Sequence, residues 1–512
     1  MSDTLHPLDH DRMAGKTLTR LTRDTLDAAH ADIRRPGYDP AALVPSILHL
    51  GCGAFHRGHQ AWATQRAIEA EGAGGLRWGI ASAALRRRTT PDLLWPQDGL
   101  YTLMRRDETG TKAEIVGSLA EIVHAPSDAI GLPARLADER TRIVTLTVTA
   151  DGYLLEPSTG RLQADHAAIR ADLDTPAQPQ TPVGILAAGL AEKRRLGGTP
   201  PVILSCDNLA ANGRTLRQAV MDFADLIPHS DGLSGWIAAN VQFPETMVDR
   251  IVPVPGDADI EDAARLAGLR DLAPVSCEPF LQWVIEAFDG PRPAWEAAGA
   301  QFVTDVAPFE QAKLRLLNGS HMLLAYLGAL AGLPTIADTV DDPDFHRFIE
   351  RFMLREQGAT LSLSESELGG YVGELLHRLH NPAIRHEVDR IGRNGSVKLA
   401  TRLMAPMREN LLAGRDVRCT TLGLAAWIRW FALRDTSGTE VRLNDPQAAD
   451  FRALCERIGE NFDAQASAFL DMEEVFGPPL PNHGRVVAEL GAALRALHER
   501  DVRDLVAEAA AA

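Results

Sequence analysis

Short, uninterrupted apolar runs alternate with amphipathic stretches along the first half of the chain. SILHL at Ser46–Leu50 is followed by a glycine-rich turn and then by HRGHQAWATQRAIEA, and further apolar runs lie at Trp78–Leu85, Arg142–Thr149 and Pro201–Cys206. Between them, stretches such as GILAAGLAEKRRL (Gly184–Leu196) repeat their apolar positions at three- and four-residue steps. Continuous apolar strands separated by helices predict a mostly parallel sheet covered on both faces, because only a strand buried on both sides dispenses with polar alternation. This half reads as an α/β domain.

Beyond about residue 290 the pattern changes. FEQAKLRLLNGSHMLLAYLGAL, DFHRFIERFMLREQ, LGGYVGELLHRLH, LGLAAWIRWFALR and HGRVVAELGAALRALHERDVRDLVAEAA all have helical periodicity, with few strand-like runs between them. The Pro-rich turn Gly290-Pro291-Arg292-Pro293 stands at the change, and a second, Gly477-Pro478-Pro479-Leu480-Pro481, lies further on. The expected division is an α/β domain over 1–290 and a mainly helical domain over 291–512. No repeat period is visible, and the one biased tract is the Ala-rich tail after Glu508.

Composition agrees with two cores: 512 residues, 45% hydrophobic and 24% charged, form an ordinary globular mixture. Asp and Glu total 69 against 52 Lys and Arg, a net charge of −17 spread along the chain, which argues against a nucleic-acid or anionic-membrane partner. A local basic pocket for a small anion stays compatible with it. The first thirty residues hold no apolar stretch of signal-peptide length, and no window approaches a membrane span. Cys52, Cys206, Cys277, Cys419 and Cys455 are odd in number and widely spaced, as expected of free thiols in a cytoplasmic protein.

Three places could carry chemistry. Gly51-Cys52-Gly53-Ala54-Phe55 follows the first strand directly. Glycines at a strand-to-helix turn let the backbone approach a pyrophosphate, so Gly51, Gly53, Ala54 and Phe55 are candidate dinucleotide contacts in a Rossmann-like domain. His56 occupies the third glycine's place, and a plain tight turn is the alternative. His56, Arg57 and His59 could orient phosphate or substrate, or form a polar helix start. After the second strand the chain runs into Arg86-Arg87-Arg88 with no acid until Asp92. Arg86 could therefore accept the 2′-phosphate of NADP where an acid would select NAD; an exposed basic turn is the alternative. No metal-ligand spacing is present, and His377 and His380, three apart, read as a solvated helix face.

The third place is Glu310 to His321. In a continuous helix turning about 100° per residue, Glu310, Lys313, Asn318 and His321 share one broad face with Leu314 and Leu317. A lysine buried there would have its ammonium form disfavoured and could serve as a general base near neutrality, while an amide could donate to a developing alkoxide. An ordinary helix whose polar groups reach past the leucines to solvent fits the spacing equally.

LHLGCGAFHRGHQA, LSCDNLAANG, FPETMVDRIVP, CEPFLQWVIE and KLRLLNGSHMLLAYLG, in this order, resemble the polyol-specific long-chain dehydrogenases, the group of mannitol 2-dehydrogenase and fructuronate reductase, from about Ser46 to Pro481. The resemblance implies a metal-independent, NAD-dependent secondary-alcohol dehydrogenase, often monomeric, with the site between its two domains. It implies Lys313 as general base, Asn208 and Asn318 as alkoxide donors, and His321 as a holder of substrate hydroxyls. Asp249, Arg390 and Lys398 would contact substrate, and Glu310 would relay the proton of the lysine. Cys52 and Asn381-Pro382-Ala383-Ile384-Arg385-His386 look more like the fructuronate reductases, where Arg385 could pair with a substrate carboxylate; Arg390 looks like the mannitol enzymes. The expectation is thus a fructuronate reductase acting on D-mannonate and D-fructuronate. A mannitol 2-dehydrogenase or related hexitol or pentitol dehydrogenase is the runner-up, and a non-catalytic nucleotide- or sugar-binding protein the remote alternative.

Overall fold

A computed structural model of the chain describes residues 18–156, 159–432 and 444–511. The reading of the chain start rests partly on residues 1–17, which lie outside that set. Contacts divide the chain into a first unit ending at Ala307 and a second beginning at Pro308.

Among its described residues the first unit holds eleven strands: β1 (Pro45–Leu50), β2 (Gly79–Ala84), β3 (Tyr101–Asp107), β4 (Gly110–Val116), β5 (Leu119–His124), β6 (Ile143–Leu146), β7 (Val202–Ser205), β8 (Thr246–Asp249), β9 (Val275–Cys277), β10 (Gln282–Glu286) and β11 (Gln301–Val303). Five form a parallel sheet in the order β5-β2-β1-β6-β7, which includes all four apolar runs read as strands. Successive strand residues feed opposite cores. Ile47, Ile80, Ile143 and Leu204 pack with Trp62 and Ile68 of the helix Gln60–Glu71. Leu48, Ala81, Val144 and Ile203 pack with Leu186 and Leu190 of the helix Pro182–Arg195 and with Leu216 and Val220 of Asn212–Leu226. Burial on both faces is what made these strands continuous apolar runs.

From β1 the chain moves outward to β2 and β5, then returns to β6 and continues to β7 on the other side. The order therefore reverses between β1 and β6, and the carboxyl ends of those two strands form the crevice where open α/β sheets take their ligands.

Two small sheets, β4-β3-β9 and β11-β10-β8, complete the unit. They explain why it extends past the Pro-rich turn at Gly290. β11 pairs with β10, and Trp295 is buried with its ring 4.6 Å from that of Trp283 and its indole N–H donating to Thr64 Oγ1 at 3.0 Å.

The second unit is almost wholly helical, and its core gathers around Trp427, whose indole meets Phe431, Phe451, Phe469 and Phe476. The helix Gly319–Leu330 is buried on every side from Gly319 to Gly328, as a helix apolar around its circumference must be. Among the described residues three segments are wound more widely than an α-helix. Lys313–Asn318, Phe352–Gln357 and Ala400–Met404 are π-helical turns, and the first packs against the other two. Turns of this kind are rare and cluster at functional sites.

Among the described residues no helix is long and apolar enough to cross a membrane. All five cysteines are free and buried.

Candidate active site

In the first unit the turn after β1 is shaped by Gly51. Its φ is +119°, and a Cβ there would lie 2.3 Å from the Thr147 carbonyl oxygen at the end of β6, so no side chain fits. The Gly51 N–H donates to the Ala83 carbonyl at 2.8 Å, and the His49 imidazole below bridges the Gly51 carbonyl (2.8 Å) and Thr147 Oγ1 (2.9 Å). Gly53 is exposed, and a Cβ built on it would meet nothing within 4 Å. Ala54 and Phe55 beside it are half-buried. A backbone turn at the topological switch, open on the side of Gly53, fits the pyrophosphate of a dinucleotide.

His56, Arg57 and His59, just after that turn, are all buried. His56 stacks on His49, ring centroids 3.3 Å apart and nearly coplanar. Burial first, then the neighbouring His49 and Arg57, holds the His56 pKa well below its usual value, and burial lowers that of His49 to about 3. Arg57 donates to the Ala273 carbonyl and His59 Nε2 meets the Gln282 carbonyl at 3.1 Å. Arg86 and Arg87 are exposed just past β2, the position that reads the ribose, whereas Arg88 is paired with Asp92 at 2.7 Å.

On the other side of the crevice Asp207, which the sequence reading quoted without a role, organises the loop after β6. It accepts from the Val148 N–H (3.1 Å), the Thr149 N–H (2.8 Å) and the Tyr153 hydroxyl (2.8 Å), fixing Thr149 at a φ of +67°. Burial pushes the Asp207 carboxyl up. Asn208 follows it at the surface, and buried Asn212 ties the end of β7 to β8 through the Ser205 and Thr246 carbonyls (3.1 and 3.0 Å). Asp249 is buried at the end of β8.

In the second unit the π-turn changes the geometry expected of Lys313 and Asn318. Five residues of α-helix would set them about 140° apart around the axis, whereas the i to i+5 repeat of a π-turn stacks them on one side. Lys313 is buried, Glu310 half-buried. Asn318 Nδ2 and His321 Nε2 are buried without a hydrogen-bond partner among the described residues. Two orphaned polar atoms beside a buried lysine are costly unless a ligand completes them.

His321 meets the ring of His386 edge-on at 5.3 Å. Burial, followed by His386, Arg378, Arg402 and Lys398, holds its pKa far below the ordinary range, so it is neutral. His386 is lowered to about 4 by burial, Arg390 and Arg378. Lys398 is lowered to about 8 by burial and Arg402, against Asp445. The structure thus places His321, Lys398 and Arg390 in one basic neighbourhood with His386 of the quoted Asn381–His386 phrase, and adds Arg378 and Arg402, whose signal in the sequence was only a charge within a helical pattern. Arg385 is exposed and pairs with Glu387 at 3.2 Å. His380, read as a solvated helix position, hydrogen-bonds Asp341 at 2.6 Å and His346 at 3.0 Å. No group of three or more His, Cys, Asp or Glu among the described residues could hold a metal ion.

Comparison with known proteins places both halves. Residues 45–297 match the mannitol dehydrogenase Rossmann domain and residues 305–498 the mannitol dehydrogenase C-terminal domain. The chain is 38% identical to the D-mannonate oxidoreductase of Escherichia coli K12 over 491 residues, 94% of this chain and 99% of that protein. It is 36% identical to the mannitol 2-dehydrogenase of Pyrenophora tritici-repentis, over 90% of this chain and 81% of that one. The solved mannitol 2-dehydrogenase of Pseudomonas fluorescens, a ternary complex with NAD and D-mannitol, superposes with a TM-score of 0.84 at 33% identity, covering 96% of this chain and 99% of that one. With a parallel Rossmann sheet, a helical second unit and matches across both, the chain belongs to the mannitol dehydrogenase family of oxidoreductases.

Proposed function

We propose that the protein interconverts a sugar acid and its keto form, with D-mannonate and D-fructuronate as the pair, by NAD-dependent transfer of hydride. The observation that carries this reading is the pair of unsatisfied buried atoms, Asn318 Nδ2 and His321 Nε2, on the helix that buries Lys313. An amide donor and a neutral imidazole are what an alkoxide and a vicinal hydroxyl require.

In the oxidation direction Lys313 Nζ, unprotonated, takes the proton of the reacting hydroxyl. Asn318 and Asn208 donate amide hydrogens to the oxygen as charge develops on it. His321 and Asp249 hold neighbouring hydroxyls, and Glu310 passes the proton from Lys313 to solvent. Arg390 and Lys398 attract the acid. Gly51, Gly53, Ala54 and Phe55 would hold the dinucleotide, whose nicotinamide would supply the hydride acceptor. In reduction the same lysine, as ammonium, returns the proton to the alkoxide. The exposed Arg86 leaves room for the 2′-phosphate of NADP.

A neutral polyol is the second reading, favoured by the D-mannitol in the solved relative. Initial rates on D-mannonate and D-mannitol, each with NAD and NADP, decide between them. The expected result is highest kcat/KM for D-mannonate with NAD; faster turnover of D-mannitol would overturn the choice of substrate, and no turnover of either the assignment itself.

A further inference from the structure

Arg402 and Lys398 belong to the group of cations that lowers the His321 pKa. Arg402 is half-buried and Lys398 likewise, and among the described residues neither forms an ion pair. Several other arginines of the second unit do: Arg315 with Glu409, Arg351 and Arg418 with Asp416, Arg503 with Asp342. The Lys398 ammonium donates to the Arg393 carbonyl at 2.6 Å. Asp445, the carboxylate whose field reaches Lys398, is already engaged by the Ser396 N–H at 2.8 Å and hydroxyl at 2.6 Å. Cations drawn out of water without a counter-ion are unfavourable, and an arrangement that keeps them is suited to an incoming anion.

Arg402 is also fixed relative to the reacting groups. It sits in the π-turn Ala400–Met404, and its carbonyl accepts from Gln357 Nε2 at 3.3 Å and lies 3.5 Å from where a Cβ on Gly319 would stand. Gly319 lies between Asn318 and His321 in the chain. The three π-turns are therefore joined at one point, and the turn that carries Arg402 is seated on the helix that carries the proposed alkoxide donor.

We propose that Arg402, assisted by Lys398, is the specificity-determining residue of this site and binds the carboxylate of a sugar acid. This rests on the reading of Lys313 to His321 as the reaction site. A planar guanidinium pairs with a carboxylate through two parallel hydrogen bonds, which a primary alcohol at the same carbon cannot reproduce. The anion could equally come from a dinucleotide phosphate, and the experiment separates the two sources.

Arg402→Met and Arg402→Lys are compared with the unaltered protein in three measurements: kcat and KM for D-mannonate, the ratio of kcat/KM for D-mannonate over D-mannitol, and calorimetric affinities for D-mannonate and for NADH. For Arg402→Met the KM for D-mannonate rises roughly ten- to a hundredfold, with much less change in kcat, and the ratio falls by a similar factor, the scale of a lost charged hydrogen bond. Arg402→Lys recovers part of the loss, and NADH affinity holds. An equal loss on both substrates, an unchanged KM, or a loss confined to NADH affinity would each overturn the proposal. If the unaltered protein turns over neither compound, the reaction assignment fails on its own. Calorimetry then still decides the anion site: weaker D-mannonate binding by Arg402→Met supports it, and equal binding overturns it.

Discussion

At the residue scale the proposed chemistry rests on a contrast of protonation states within one neighbourhood. His321 and His386 are kept neutral by burial and surrounding cations, while Lys398, at about 8, can change charge just above neutrality. An anion bound nearby favours the ammonium form, so it binds fully below about pH 8 and loses affinity as pH rises through that value. The expected outcome is a KM for D-mannonate that climbs above about pH 8, by at most tenfold per unit. Lys398→Arg, which stays charged, should flatten the profile, and a profile unaltered by that change would remove Lys398 from substrate binding. Lys313, Asn318 and His321 could be picked out in the sequence as a set. Their burial could not, because leucines at three- and four-residue spacing look the same whether a helix lies on a surface or inside a core.

At the scale of elements, the turn after β1 separates two uses of glycine. Gly51→Ala forces a side chain to a φ of +119° and against the Thr147 carbonyl, so the substitution should cost at least about 1–3 kcal/mol of stability from the backbone conformation alone. Gly53→Ala meets nothing within 4 Å and should leave the melting temperature almost unchanged while weakening NADH binding, because its methyl projects into the open face of the turn. Thermal unfolding followed by circular dichroism, with an NADH fluorescence titration, checks both halves of this expectation. Four strands of the parallel sheet, β1, β2, β6 and β7, were legible because each is a nearly continuous apolar run. β5 and the hairpin of β3 and β4 were not: the hairpin carries Arg105, Arg106, Lys112 and Glu114 beside its apolar residues, and its turn signal, Asp107-Glu108-Thr109-Gly110, was the one cue available. The π-turns had no sequence signal at all, since they arise where packing accepts an extra residue within an otherwise helical pattern.

At the scale of the whole molecule, nucleotide recognition and proton transfer are assigned to separate units with separate cores. Lys313→Ala should therefore reduce kcat by roughly 10²–10⁴, the usual contribution of a general base, while the NADH dissociation constant stays within about a factor of three. Substantial residual turnover in a stopped-flow assay would exclude Lys313 as the base. The net charge of −17 is likewise a property of the whole chain and hides its local reversal around His321, which became visible only once helices distant in sequence were packed together. The π-turn at Lys313–Asn318 has one further consequence, for the number of residues rather than their kind. A helix with such a turn holds one residue more than α geometry would need over the same span. The same five-residue step wound as ordinary α-helix would turn Lys313 about 140° from Asn318, and shortening the stretch by one residue takes it from a segment in which Leu316 and Leu317 are buried. Homologous chains that keep this chemistry should therefore hold the length of this stretch constant.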